Sequence, residues 1–190
     1  MRDLGTVTLE TPRLILRRLT VEDGPAMYQN WASDPEVTRY LGWPTHESVE
    51  GTRAYLEGVF RQTEEMTVYD WGIVLKELGE PVGNINVVER REKAACLQLG
   101  YSLGRRWWRR GIMSEAASRV IEFLFEEVGA LRIEARHDPK NSHSGDVMRK
   151  CGMTFEGVHR QADWNNSGIC DVAYYGILRE DYERRRGDRA

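Results

Sequence analysis

The chain has 190 residues, 41% of them hydrophobic and 30% charged, with 27 Lys and Arg against 30 Asp and Glu for a formal charge of −3. A chain of this length makes one domain, 1–190, and buries about 70% of the surface its unfolded form exposes. The composition excludes a disordered or fibrous protein, and the charge balance excludes a generally basic nucleic-acid coat. No stretch approaches the ~18 consecutive apolar residues of a membrane span. The opening MRDLGTVTLETPRL has no apolar signal-peptide core, so a cytoplasmic protein away from membranes is expected. Cys96, Cys151 and Cys170 are an odd number without short spacings. That argues against a disulfide framework and a Cys-rich zinc site, and predicts free thiols with no metal.

In chain order, residues 12–19 (PRLILRRL) read as a strand. Thr20-Val21-Glu22-Asp23 fits a capping box and opens a helix to about Trp31, which Ser33-Asp34-Pro35 breaks. Residues 47–64 form a second helix with Val49, Ala54, Tyr55, Val59 and Phe60 toward one side. Residues 68–76 and 82–89 alternate with period two around Glu77-Leu78-Gly79-Glu80-Pro81, which predicts an antiparallel hairpin. Residues 97–103 (LQLGYSL) are another strand. A strongly amphipathic helix follows, with Ala117, Val120, Ile121, Leu124 and Val128 on one face and Gly129 at its end. Residues 131–137 make a strand and 143–151 a short helix with Ser144, Val147, Met148 and Cys151 on one face. Strands 153–160 and 170–178 close the domain, with residues 163–168 as the loop between them. Residues 183–190 read as a frayed, charged tail. The order β-α-α-β-β-β-α-β-α-β-β describes one α/β (α+β) domain: a mixed sheet of about seven strands with about four helices.

The chemically informative stretch is strand 97–103, then Trp108-Arg109-Arg110-Gly111-Ile112-Met113-Ser114, then a helix. A strand turning sharply into a helix N-terminus leaves backbone N–H groups unpaired beside a partial positive charge. That makes an anion site, best suited to phosphate. Gly111 allows close backbone approach, Arg109 and Arg110 add charge, and Ser114 either caps the helix or donates to a phosphate. The loop is neither a P-loop nor a dinucleotide fingerprint. The competing reading is a solvated Arg-rich turn with aromatic anchors.

Three runs, LGYSLGRRWWRRGIMSEA, NSHSGDVMRKCGMTFEG and DVAYYGILREDY, together resemble the GNAT superfamily of acetyl-CoA-dependent N-acetyltransferases. More narrowly they are similar to its RimJ/RimL-type branch of ribosomal-protein N-terminal acetyltransferases. The resemblance covers nearly the whole chain and implies a mostly antiparallel sheet with a splayed central parallel pair. Its acetyl-CoA loop, [Q/R]-x-x-G-x-[G/A], falls on Trp108–Met113, with Trp108 and Met113 departing from the pattern and Gly111 keeping it. The resemblance also implies that backbone groups of Tyr101, Ser102 and Leu103 pair with the pantetheine arm like an added strand. Asn141 would touch the same arm; its other reading is a helix N-cap.

Many members protonate the leaving thiolate with a Tyr seven residues after this Asn. Met148 stands there, and the RimL-type pattern offers Ser144 instead. A Glu in the family's K-Q-A-E stretch has its counterpart in Asp163 of Arg160-Gln161-Ala162-Asp163. Asp163 is thus the candidate base, with a loop Asx-turn as its other reading. Tyr40, Trp43 and His46 are candidate acceptor contacts, against a reading as packing residues. The expected activity is direct transfer from acetyl-CoA to a primary amine, on a protein N-terminus or a small molecule, in a possible homodimer. A non-catalytic acyl-CoA sensor is the alternative. A nucleic-acid module using the basic and aromatic residues 105–110 is the third reading.

Overall fold

The computed structural model describes residues 1–187. Eight strands form one sheet in the order β1-β2-β3-β4-β5-β6-β8-β7. They are β1 (Leu9–Glu10), β2 (Leu14–Arg17), β3 (Asp70–Leu75), β4 (Glu80–Arg91), β5 (Cys96–Leu103), β6 (Arg132–His137), β7 (Thr154–Asn165) and β8 (Gly168–Leu178). The helices are α1 (Gly24–Met27), α2 (Pro35–Thr38), α3 (Val49–Gln62), α4 (Ile112–Phe123), α5 (Ser142–Lys150) and α6 (Arg179–Gly187). All neighbouring strands run antiparallel except β5 and β6.

The β5–β6 pair decides the site. Its register runs from Cys96↔Arg132 to Leu99↔Ala135 and stops, although β5 continues to Leu103 and β6 to His137. The two strands therefore part at their C-terminal ends. The main core lies under α4 and α5 and includes Trp71, Ile85, Leu97, Val120, Phe125 and Met148. A smaller cluster, Leu19, Met27, Trp31, Ala32, Val37 and Leu56, packs α1 and α3 on the opposite face. The apolar stripe read on the α4 helix is buried at every position, and its last turn, residues 124–128, widens to a π-turn before Gly129 at φ +86°.

Several expectations are corrected. β1 is an additional strand, too short at two residues to show alternation. The first helix is not regular: a 3-10 turn over Val21–Asp23 leads into α1, then a π-turn over Tyr28–Ala32. Pro25 cannot donate in the usual ladder, and Ser33 Oγ donates to Tyr28 O at 2.7 Å. On α3 the buried residues are Thr52 and Leu56, while Tyr55 and Phe60 are 37% and 38% exposed. That helix meets the domain along one narrow i, i+4 line, so its wider apolar side stays at the surface. The 163–168 loop is mostly strand: β7 runs to Asn165 and pairs Asp163 with Cys170. The chain from 179 to 187 forms α6 rather than fraying. The Arg179 guanidinium bonds Ala130 O, and the Tyr182 ring sits 5.1 Å from Phe125. Its charged composition hides these anchors; the rest of the expected tail, 188–190, lies outside the described residues. The cysteines are free, with Cys96 and Cys170 buried.

The predicted capping box is present and carries more than a helix cap. Arg17 on β2 donates from both terminal nitrogens to the two Asp23 oxygens at 2.8 Å, and Thr20 N–H donates to Asp23 Oδ2 at 2.8 Å. Burial pushes the Asp23 carboxyl up, but the Arg17 and Thr20 bonds outweigh it and hold its pKa below the usual value. The resulting stability is fully present above the unfolded carboxyl pKa and is lost as pH falls through the lower folded value. Asp23→Ala is expected to cost about 2 kcal/mol in urea unfolding at pH 7, discounted for the partly exposed Arg17. The gap between parent and variant should close below about pH 4. A gap independent of pH would show that packing, not the ion pair, is lost.

Candidate active site

The turn from β5 into α4 is built from special backbone. Arg109 has φ +61° and Gly111 φ +73°, both left-handed. Gly111 stands at the N-cap of α4, and no side chain caps that helix. Its first intrahelical bond beyond the turn is Glu115 N–H to Gly111 O at 3.0 Å. The N–H groups of the first turn are thus available to an anion, with the helix dipole behind them. A brace from the connection between β1 and β2 holds the turn. Arg13 donates to Glu115 Oε2 at 2.6 Å and to Arg110 O at 3.0 Å, and Thr11 Oγ1 donates to Glu115 Oε1 at 2.5 Å.

A cavity of about 210 Å³ runs from this turn between the end of β5 and the start of α5, which follows β6. Its lining contains Tyr101, Ser102, Leu103, Arg109, Gly111, Ile112, Met113, Ser114, Asn141 and Ser144, residues that the sequence singles out. Arg110 is absent from that lining, because its carbonyl faces Arg13 and its side chain is exposed. The lining also includes Trp108, the first position of that loop, and His143, Val147 and Lys150, three α5 residues that the sequence reading missed as site residues. The spacing of α5 could have supplied all three: His143, Val147 and Lys150 recur every three or four positions, on one helix face.

Asn141 is the N-cap of α5, yet its side chain does not cap the helix. Its Nδ2 instead donates to Ser144 Oγ at 3.0 Å. Ser144 sits one turn into α5, and its carbonyl accepts from Tyr101 Oη at 2.9 Å across the gap. Burial pushes the Tyr101 phenol well above its ordinary pKa, so this bond is made by a neutral hydroxyl. Of the β5 backbone groups expected to be open, the Leu103 carbonyl accepts from Trp108 Nε1 at 2.7 Å. Trp108, where the family pattern has a polar residue, thereby anchors the loop to the strand end. Trp107 is buried in the main core and Arg105 pairs with Asp34 at 3.0 Å. Those two residues of the 105–110 patch are committed to the fold.

The remaining candidates are spread out. Asp163 does not line the cavity; its carboxylate pairs with Arg136 on β6 at 3.0 Å. Trp43 and His46 come together with Tyr55, at ring distances of 5.3 Å for Trp43–His46 and 5.3 Å for His46–Tyr55. Tyr40 stands apart from them, beside Trp108, Lys140 and His143 in a neighbouring cleft. Burial raises the Cys151 thiol above its ordinary pKa, and it donates to Ser114 O at 3.6 Å. It is a poor nucleophile in this state, which fits direct transfer without an acyl-enzyme. Among the described residues no cluster of His, Cys, Asp and Glu could hold a metal ion. No helix among them is long and apolar enough to cross a membrane.

Two parallel strands that part beside an uncapped helix N-terminus make a site suited to a ligand with an extended arm and a phosphate. The model of the acetyltransferase (GNAT) domain family matches residues 13–154, and the chain belongs to this family. It is an N-acetyltransferase, and members of the family use acetyl-CoA. The uncharacterized N-acetyltransferase YoaA of Bacillus subtilis is 33% identical over 90% of this chain and 96% of its own. The ribosomal protein uS5-alanine N-acetyltransferase of Escherichia coli is 27% identical over 80% of each chain. A solved RimL, a ribosomal L7/L12 α-N-protein acetyltransferase in complex with coenzyme A, superposes with TM-score 0.80 at 22% identity. The match covers 90% of this chain and 98% of that one. These likenesses support the RimJ/RimL-type branch.

Proposed function

We propose that this enzyme moves the acetyl group of acetyl-CoA directly onto a primary amine, with a protein N-terminal α-amine as the preferred acceptor class. The carrying observation is the parting of β5 from β6 after Leu99↔Ala135, with the gap leading to the uncapped start of α4. Gly111 to Ser114 would hold the diphosphate through backbone N–H groups, with Arg109 adding charge. Tyr101 and Ser102 would pair with the arm, and an N–H in this stretch would stabilise the oxyanion. Ser144 would donate a proton to the departing thiolate. The uS5-alanine relative favours a protein acceptor and, with it, a cytoplasmic enzyme. A small-molecule amine and a homodimer stay within the proposal.

Asp163 enters as a proposed base on the strength of the resemblance; its pairing with Arg136 weighs against it. Asp163→Ala with less than a twofold change in turnover would remove it. The test of the whole proposal is release of free thiol from acetyl-CoA over a panel of Ala- and Ser-starting peptides and small amines. Binding of coenzyme A with no thiol release for any amine would turn the reading toward a sensor. Displacement of a labelled oligonucleotide by coenzyme A would expose a shared patch at 105–110.

A further inference from the structure

Asp70 opens β3, and its backbone N–H donates to Thr6 Oγ1 at 2.9 Å. Alternation along β3 sends Tyr69, Trp71 and Ile73 into the main core and turns Asp70 to the other face, where α1 and α3 pack. Gly72, next on that face, has no side chain, and Leu19 fills the space above it. Asn84 lies opposite Gly72 and hydrogen-bonds the Asp70 carboxylate one step along the sheet. Asn84 Oδ1 in turn accepts from Ser102 Oγ at 2.6 Å. A side-chain chain thus crosses β3, β4 and β5 and ends on a residue that lines the cavity.

The register gives a second line to the same place. Asp70 pairs with Asn86, and Asn86 with Gly100. Gly100 is the first β5 residue past the last β5–β6 pair, the point where the strands part. A Cβ there would stand 2.7 Å from Val88 Cγ1 and 3.2 Å from Asn86 Oδ1, so the glycine lets these two side chains close over the strand at this level. Strand spacing puts Asp70 roughly 10 Å from Gly100, with Asn86 between them. Tyr55, His46 and Trp43 stand in one aromatic cluster on the α3 side, and the Asp70 charge adds to the burial that raises the Tyr55 phenol to about 12.

We propose that Asp70 is the proton acceptor of the reaction, working through water held among Asn84, Asn86 and Ser102, and that the acceptor enters on this face as a cationic primary amine. The inference rests on the acetyl-transfer reading above. One ammonium proton passes through the water to the Asp70 carboxylate and then to solvent. The freed nitrogen pair bonds the thioester carbon, and the C–S bond breaks with its electrons on sulfur. The second N–H proton neutralises the thiolate, relayed by the Ser144 hydroxyl, so that an amide, free coenzyme A thiol and one proton result.

The surroundings suit a base. The side chains nearest the Asp70 carboxylate are neutral, Asn84 and Asn86 from β4 and Tyr55 from α3 with His46 beyond it; the charges on this face are Arg17, opposite Gly72 on β2, and Asp23, which are paired with each other. Burial raises the carboxyl to about 7 against the opposing Asn84 bond. A base that changes state near neutral pH is matched to an α-amine at the same pH.

The test uses Asp70→Asn and Asp70→Glu in the full chain, with an alanyl tetrapeptide amide and 1,3-diaminopropane as acceptors. Coenzyme A affinity should stay within twofold in both variants. At pH 7, kcat/KM should fall about a hundredfold in Asp70→Asn, with partial recovery in Asp70→Glu. The rise of kcat/KM near pH 7 should vanish in Asp70→Asn, leaving a rise that follows the amine's own pKa. Asp70→Asn within twofold of the parent, with the same pH profile, would overturn the assignment alone. Loss in Asp163→Ala with none in Asp70→Asn would return the role to Asp163. A parent enzyme that binds coenzyme A and acetylates neither probe would overturn the transfer reading and this assignment with it.

Discussion

Gly111→Val is expected to weaken coenzyme A binding about a hundredfold or more, while unfolding stays within several degrees of the parent. Gly111 has φ +73° and ψ 5° at the N-cap of α4. A β-branched residue in that region costs roughly 1–2 kcal/mol and drives the turn toward another conformation. In a chain of this size that alone shifts melting by about 2–8 °C. Ligand binding suffers more. Charge-assisted bonds from backbone N–H groups to a phosphate are worth about 1.5–3 kcal/mol each, so misaligning two of them removes two or more decades of affinity. The Arg13–Glu115 brace would keep α4 tied to the segment that leads into β2 while the turn itself moves. Gly111→Asn is the matched control, because Asn tolerates the left-handed region and should retain most of the affinity. Calorimetric titration with coenzyme A measures both. An affinity within threefold of the parent in the Val variant would show that the diphosphate is held elsewhere.

Ser144→Ala is expected to lower kcat about a hundredfold at unchanged KM for acetyl-CoA, the usual size of a lost proton donor. The geometry favours donation into the cavity. Asn141 Nδ2 already fills one lone pair of Ser144 Oγ, which leaves the hydroxyl hydrogen free to point at a leaving group. The Tyr101 bond goes to the Ser144 carbonyl and survives the substitution, so α5 keeps its tie to β5. Asn141→Ala should give a smaller loss, since it frees the serine rotor without removing the donor. Both variants are read by initial rates of thiol release. A kcat within threefold in Ser144→Ala would leave solvent as the proton source.

The acetyl-CoA side was legible because its chemistry is local. One glycine, adjacent arginines and a strand running straight into a helix lie within about a dozen positions, and the proposed binding is mostly through backbone. Nine of the ten residues read as coenzyme contacts line the cavity, and Arg110, diverted by Arg13, is the exception. The acceptor side was not legible, because its members are far apart in sequence. Asp70 looks like an ordinary polar residue at a strand start until Gly72 lets Asn84 lean across to it. Tyr55 reads as core from helical spacing, whereas α3 meets the domain along Thr52 and Leu56 and leaves Tyr55 beside His46. Asp163 reads as a base from its place after Arg160-Gln161-Ala162, and only the strand register brings Arg136 against it.

Apolar periodicity and turn chemistry suffice to lay out the long elements, since each records which face must leave water. α4 with its glycine end, the β3–β4 hairpin and the phosphate-ready turn all follow from neighbours in the chain. Pairing across the sheet decided everything else. It set where β5 abandons β6, docked α6 through Arg179 and Tyr182, and lined up Asp70, Asn86 and Gly100 at that parting. Those outcomes depend on register and on contacts between residues dozens of positions apart, and one residue of slip would turn Asp70 into the core.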